Sequence, residues 1–302
     1  MTATLVGGSG NPPLLAATAH ALAIDAESCL LERFPDGETH VVLSRPQRGK
    51  HVFIVQPTGP PVDAHLVELV MLADACRRSG AAHITAVVPY FGYARQDRRG
   101  TSGEAIGAKA AARLIEGAGI DQLMVVDPHS TALETMFDIP VETLSAVRLL
   151  AGAVRPLIEA PAVVVAPDLG AVKLAERYAV VLDLPVAIVR KTRVSGETVR
   201  ATDVVGDVRG RQPLIVDDMI TTAGTVEAAA QALLERGCRP EIVVAATHGL
   251  FVGPAALRLA ALPLRNVVVT DSLPAVTDFG VPVAVVGIQG ALADAILASY
   301  RS

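Results

Sequence analysis

The chain has 302 residues, 51% of them hydrophobic and 19% charged, which is enough for two domains with large cores. A net charge of −5, an aromatic content of 3% and the absence of Trp argue against a nucleic-acid surface or a base-stacking strand binder. Cys29, Cys76 and Cys238 show no metal-ligand spacing and read as reduced thiols. With no basic-then-apolar leader and no uncharged apolar run of about 18 residues, a cytoplasmic protein with no membrane partner is expected.

In chain order, Gly7-Gly8-Ser9-Gly10 reads as a loop after a first strand. It has neither dinucleotide-type nor Walker A spacing. Phe34-Pro35-Asp36-Gly37-Glu38 reads as a turn between two short strands, with Gly where a positive φ is cheap. β-Branched runs at 52–55, 84–88, 123–126, 163–166, 214–217, 242–246 and 267–270 look like buried parallel strands. Amphipathic Ala/Leu-rich stretches at 61–79, 103–118, 171–181, 225–236 and 289–299 look like helices. The alternation implies an α/β fold with helices covering a mostly parallel sheet.

The two halves look like diverged copies. Residues 52–56, a loop, a helix to Ser79 and the strand 84–88 form one unit. Residues 213–217, a loop, a helix to Arg236 and the strand 242–246 form the other. Gly80 and Gly237 sit at matching helix ends, suited to the C′ position. The first copy has Gln56-Pro57 where the second has Asp217-Asp218, so the carboxylates belong to the second half alone. The expected organisation is one domain over 1–140, a second domain of the same kind over 141–288, and a helix over 289–302 that packs on the first.

The most informative segment is Asp217-Asp218-Met219-Ile220-Thr221-Thr222-Ala223-Gly224-Thr225. A strand ends in two carboxylates, and a loop of hydroxyls and small residues opens a helix. Helix-start N–H groups and the dipole favour a phosphate, while acceptor-only carboxylates suit the hydroxyls of a ribose. An ordinary capped strand-to-helix turn would not need the Asp pair and three Thr together. Tyr90-Phe91-Gly92-Tyr93-Ala94-Arg95-Gln96-Asp97-Arg98-Arg99 places three arginines among three aromatics after a buried strand, which suits phosphate forks and base stacking better than a solvated loop.

These three motifs, in this order and at these separations, resemble the ribose-phosphate pyrophosphokinases, or 5-phosphoribosyl 1-diphosphate (PRPP) synthetases, over nearly the whole chain. The resemblance implies two tandem phosphoribosyltransferase-like domains. It implies transfer of a diphosphoryl group from ATP to ribose 5-phosphate with Mg²⁺ as cofactor, and a homo-oligomer, either a dimer or an assembly of dimers. It assigns Phe34, Asp36, Glu38, Arg95, Gln96, Asp97 and Arg99 to ATP, with Phe34, Asp36 and Glu38 reaching across from a neighbouring subunit. It assigns His129 and Asp168 to the metal site. Lys191, Arg193 and His129 become catalytic, and Asp217, Asp218, Thr221, Thr222, Ala223, Gly224 and Thr225 hold ribose 5-phosphate. Without that resemblance, His129 would read as structural, Asp168 as a helix cap, and Lys191 with Arg193 as a solvated charge pair.

Residues 101–106 are closer to archaeal-type members. Thr221, Ala171 and Leu174 stand where the family more often has Asp, Gly and Arg. A non-catalytic regulatory subunit of the same fold is the rival reading, opposed by the presence of Lys191, Arg193, His129 and Asp168 together. A phosphoribosyltransferase that consumes PRPP is opposed by the duplicated first half.

Overall fold

A computed structural model describes residues 3–193, 199–275 and 280–301, with the side chains of 191–193, 199–202 and 301 outside the description. The chain divides into two compact units: Met1–Ser145 with Ser272–Pro274 and Gly287–Ser302, and Ala146–Asp271 with Ala275–Val286. Among the described residues no helix is long and apolar enough to cross a membrane.

The first unit runs β1 (Ala3–Gly7), α1 (Pro12–Ala21), β2 (Ala26–Glu27), β3 (Cys29–Arg33), β4 (Thr39–Leu43), β5 (His51–Val55), α2 (Val62–Arg78), β6 (His83–Val88), α3 (Gly107–Gly117), β7 (Gln122–Val126) and β8 (Val141–Leu144). The second runs α4 (Val147–Val154), β9 (Ala162–Ala166), α5 (Val172–Leu182), β10 (Val186–Arg193), β11 (Val199–Val205), β12 (Gln212–Ile220), α6 (Gly224–Glu235), β13 (Ile242–Gly249), α7 (Ala255–Ala260), β14 (Leu264–Thr270) and β15 (Val283–Val286). Helix α8 (Gln289–Arg301) belongs to the first unit and packs on α1.

Both main sheets follow one plan. The first has the order β2-β1-β5-β6-β7-β8 and the second β10-β9-β12-β13-β14-β15, all parallel, with β11 added antiparallel on the β10 edge. In each unit a hairpin intervenes before the central strand: β3–β4 as a separate two-stranded sheet in the first, β10–β11 in the second. The strand pattern supports the duplication read from the sequence.

Central strands covered on both faces must be apolar throughout, and β5 and β9 are buried at every position. In α2, Leu66, Leu69, Leu72, Ala73 and Cys76 form one helical stripe against the sheet, joined by Ala108, Ala111, Ala112 and Ile115 of α3. In α6 the stripe is Val226, Ala229, Ala230 and Leu233, and its alanines let the helix lie close to the strands. Gly80 and Gly237 end α2 and α6 with φ of 90° and 78°, a conformation a Cβ would penalise. Helix α3 begins at Gly107, four residues after the expected start. The Glu104 carboxylate accepts the N–H groups of Gly100 and Thr101 at 2.6 and 2.9 Å, and Gly103 has φ 83°, so this stretch forms a turn.

Candidate active site

In an open parallel sheet, ligands gather at the carboxyl ends of the strands where the strand order reverses. In the second unit that point lies between β9 and β12. The strands pair with Ile215 beside Val165, so Asp168, just beyond β9, and Asp217, on β12, come to the same end of the sheet. The Asp217 carboxyl is held well above the usual carboxylate range. Burial is the main cause, the neighbouring Asp218 charge comes next, and Asp168 adds to it. The Asp218 N–H, donated to Asp217 Oδ1 at 2.9 Å, opposes the shift. Asp168 Oδ1 accepts the N–H groups of Gly170 and Ala171 at 3.0 and 3.3 Å, which shapes the loop leading into α5.

The loop 221–225 joins β12 to α6. Ala223 takes the left-handed conformation, φ 59°, and Gly224 opens the helix. The carbonyls at the end of β12 and in this loop already have hydrogen-bond donors. Leu250 and Phe251 donate their N–H groups to Ile220 O at 2.9 and 3.0 Å, Val252 donates to Thr221 O at 2.9 Å, and Glu227 donates to Ala223 O at 2.9 Å. Arg258 Nη1 donates to Thr222 O at 3.0 Å, and Arg258 Nε pairs with Glu227 at 3.1 Å. Helix α7 is thereby tied both to the loop and to the first turn of α6. With the Thr221, Thr222 and Ala223 carbonyls engaged, the loop is left with helix-start N–H groups, the positive dipole end and Thr hydroxyls, a set of groups suited to an anion. A Cβ on Gly224 would lie 3.1 Å from Arg258 Nη1, so a side chain here would crowd that guanidinium.

The remaining expected residues are placed as follows. Lys191 and Arg193 lie on β10 beyond its pairing with β9, where the strand runs only against β11, with a register shift at Arg190/Lys191. Their side chains lie outside the described residues, as do residues 194–198. Phe34, Asp36 and Glu38 occupy the exposed tip of the β3–β4 hairpin. The Phe34 N–H donates to Glu38 O at 2.9 Å, Asp36 Oδ1 accepts the Glu38 N–H at 3.1 Å, and the Phe34 ring stacks on His40 with centroids 5.0 Å apart. Arg95, Gln96, Asp97 and Arg99 lie on the loop between β6 and α3, where Arg95, Gln96 and Arg99 are exposed. That loop is anchored by Tyr93, whose hydroxyl donates to Asp63, and by Gln96 O, which accepts the Ala108 N–H at 3.1 Å. His129 is exposed on the loop after β7, following Asp127, which has φ 35°. His129 stands in the first unit and Asp168 in the second. Among the described residues, no group of three or more His, Cys, Asp or Glu side chains converges on a metal position.

Sequence reading did not find Arg258 or its partner Glu227. A lone Arg on a six-residue helix carries no pattern that would mark it. Glu68 on α2 was also missed, although a carboxylate on the buried stripe of a helix is a signal in itself.

A parallel sheet of this order with a Thr-rich loop and paired carboxylates at its switch point defines the phosphoribosyltransferase class of fold, and the first unit repeats its strand order. The model described as the N-terminal domain of ribose phosphate pyrophosphokinase matches residues 3–119, and the one described as a phosphoribosyl transferase domain matches 138–262. Ribose-phosphate pyrophosphokinases of Staphylococcus saprophyticus and of Staphylococcus aureus (strain Mu50) are each 41% identical over 267 residues, spanning 87% of this chain and 83% of theirs. A crystal structure of phosphoribosylpyrophosphate synthetase from Mycobacterium smegmatis superposes with a TM-score of 0.93 at 35% identity, over 100% of this chain and 99% of that one. The chain belongs to the ribose-phosphate pyrophosphokinase family.

Proposed function

We propose that the protein is a ribose-phosphate diphosphokinase that converts ATP and ribose 5-phosphate into AMP and PRPP for nucleotide biosynthesis. The observation that carries this reading is the switch point of the second unit, where a carboxylate pair adjoins a loop whose Thr221, Thr222 and Ala223 carbonyls already accept hydrogen bonds from within the unit.

Residues 221–225 bind the 5-phosphate, and Asp217 and Asp218 accept hydrogen bonds from the ribose hydroxyls. The C1 hydroxyl oxygen attacks the β-phosphorus of ATP. The bond from that phosphorus to the α,β-bridging oxygen breaks, AMP departs and the hydroxyl proton is released. Such a transfer needs alignment and charge neutralisation more than covalent help. Lys191 and Arg193 neutralise charge on the transferring and leaving oxygens. Phe34, Asp36 and Glu38, from a neighbouring subunit, and Arg95, Gln96, Asp97 and Arg99 hold the nucleotide.

The donor set fits Mg²⁺, a hard cation that uses one or two carboxylates, substrate phosphates and water rather than an all-protein cage. Asp168 supplies the carboxylate, and His129 serves by contact with the ATP phosphates or through water. Bound Mg²⁺ supplies charge neutralisation of the ATP phosphates. A homo-oligomer is in keeping with the exposed apolar pair Leu30 and Val42 on the hairpin and with Val67 and Met71 on α2. Three free thiols accord with a cytoplasmic protein.

The deciding measurement is ³¹P NMR of the purified chain with ATP, ribose 5-phosphate and Mg²⁺. AMP and a diphosphate on ribose C1 are expected together. ATP unchanged across added phosphate and alternative divalent ions would reject the reading in favour of a non-catalytic regulatory subunit.

A further inference from the structure

The first unit has a switch point of its own, between β1 and β5. Leu5 pairs with Phe53 as Val164 pairs with Leu214, which sets Ser9 at the position of Asp168 and Gln56 at that of Asp217. The helices that follow correspond as well. Leu69, Leu72, Ala73 and Cys76 on the buried face of α2 match Val226, Ala229, Ala230 and Leu233 on that of α6, each pair 157 positions apart. The same step takes Glu68 to Thr225. Helix α2 also begins earlier by this count, at Val62, where Gly224 would match Val67. The first unit therefore has extra helix in place of the phosphate loop, and a carboxylate where the second unit has the last threonine of that loop.

That carboxylate is fully engaged. Glu68 is 2% exposed. Its Oε1 accepts the Ser9 N–H and, at 2.9 Å, a Gln56 Nε2 hydrogen, while its Oε2 accepts the Ser9 hydroxyl at 2.8 Å. Gln56 Oε1 in turn accepts the Gly10 N–H at 3.0 Å. A Cβ on Gly8 would collide with both Glu68 Oε1 and Gln56 Oε1, and one on Gly10 would lie 2.6 Å from Pro57 O. Glycines that admit close approach, backbone N–H groups just ahead of a helix, and a hydroxyl, all gathered around one buried carboxylate, are the parts of an anion nest.

We propose that the N-terminal unit retains an anion-binding nest at its own switch point and that Glu68 is its permanent ligand. Each chain then offers ribose 5-phosphate one site rather than two. The ligand class of the nest is the small oxyanion, a carboxylate being the one built in. A cavity of about 180 Å³ lined by Ser9, Leu31, Glu32, Arg33, Thr39 and Glu68 lies beside this carboxylate.

The test is chemical rescue, which does not depend on catalysis. Glu68→Ala removes the built-in ligand and leaves its space. Thermal unfolding is followed for the wild type, Glu68→Ala and the isosteric Glu68→Gln in sodium formate and in sodium chloride of equal ionic strength. A ligand that binds only the folded state raises its stability. Formate is expected to raise the Tm of Glu68→Ala over chloride by at least about 3 °C and to move the other two by under about 1 °C. If Glu68→Ala does not fold unaided, its yield of folded protein on refolding in formate against chloride gives the same readout. Equal response to the two salts, or an equal formate response in all three proteins, overturns the proposal.

Discussion

The two units share a strand order and part company where that order reverses. In the second, Asp168 and Asp217 stand at the end of the sheet from which a loop departs whose carbonyls are bonded by the 250–252 backbone and Arg258. In the first, Ser9 and Gln56 hold the same positions and close on Glu68. The difference shows that this sheet supplies only a place. An open site needs a loop prevented from satisfying itself, and a closed one needs a single side chain long enough to reach in.

The largest effect that would break the comparison comes from the carboxylate pair. Asp217→Ala with Asp218→Ala should lower kcat/KM for ribose 5-phosphate about 10³-fold, since hydrogen bonds to charged groups contribute roughly 1.5–3 kcal/mol each. Gln56→Ala in the first unit should cost stability and leave kcat/KM of the folded protein within about twofold. A loss under tenfold in the double variant would remove the pair from ribose binding. Because the Asp217 carboxyl is held above the usual range, kcat/KM should decline on acidification from a higher pH than an ordinary carboxylate gives. Asp218→Asn removes the neighbouring charge and should move that acid limb to lower pH.

The bases of the two sheets supply a second contrast. His51 in β5 has its register counterpart in Gln212 of β12, since His51 pairs with Ala3 as Gln212 pairs with Ala162. Gln212 staples its surroundings at any pH, accepting the Glu159 N–H at 2.6 Å and donating to Leu157 O and Glu241 O at 3.2 and 3.0 Å. His51 stacks on Phe53 at 4.1 Å, meets His83 edge-on at 4.3 Å and Tyr300 at 6.3 Å, and hydrogen-bonds Thr85 at 2.8 Å. Burial, then the charge of His83, push it down from 6.5 to about 4, against the pull of Asp121. Between those values the unfolded chain binds more protons than the folded one. The contribution of His51 is therefore fully present above pH 6.5 and is lost, by up to ~3 kcal/mol, as the pH drops toward 4. His51→Gln, which installs the residue of the other unit, should flatten this dependence in urea titrations at pH 7, 5.5 and 4.5. An unchanged slope would assign the acid sensitivity elsewhere.

Gly8 offers a smaller effect. In register it matches Pro167, so the second unit tolerates a side chain at that position. Gly8→Ala should cost about 2 kcal/mol, or roughly 5 °C in Tm, because the methyl group meets Glu68 and Gln56. Combining it with Glu68→Ala should recover part of that loss, and simple additivity would show that the methyl group strains something else.

The sequence was most readable where structure is local. Continuous apolar runs such as 52–55 and 163–166 are what a doubly covered parallel strand requires, and both are strands. Short, half-exposed β8 and β15 lack that signature because an edge position does not demand it. The duplication was legible because the strand–helix–strand unit repeats with its glycine stops. The 217–225 loop was legible because its groups are contiguous. Glu68 and Arg258 reach their loops from 59 and 36 residues away, and no local pattern records such a contact. The Gly7–Gly10 run carries no sign of its role in the sequence because the carboxylate it holds comes from a distant helix.

Arg258 provides the finest discrimination between an open loop and a closed one. Its guanidinium holds Thr222 O at 3.0 Å and Glu227 at 3.1 Å, so it ties the loop to the first turn of α6 while itself standing on α7. The side chain is 36% exposed, which places its contribution near the low end for a charged hydrogen bond, about 1.4 kcal/mol. Arg258→Ala should therefore raise KM for ribose 5-phosphate about tenfold while KM for ATP and kcat stay within about twofold. Arg258→Lys keeps one donor and should recover part of the loss. Gly224→Ala, which crowds the same guanidinium, should act in the same direction. If KM for ATP rises in parallel, Arg258 supports the unit as a whole and does not orient the loop. If neither constant moves, the backbone bonds from Leu250, Phe251 and Val252 are sufficient to keep the carbonyls turned away.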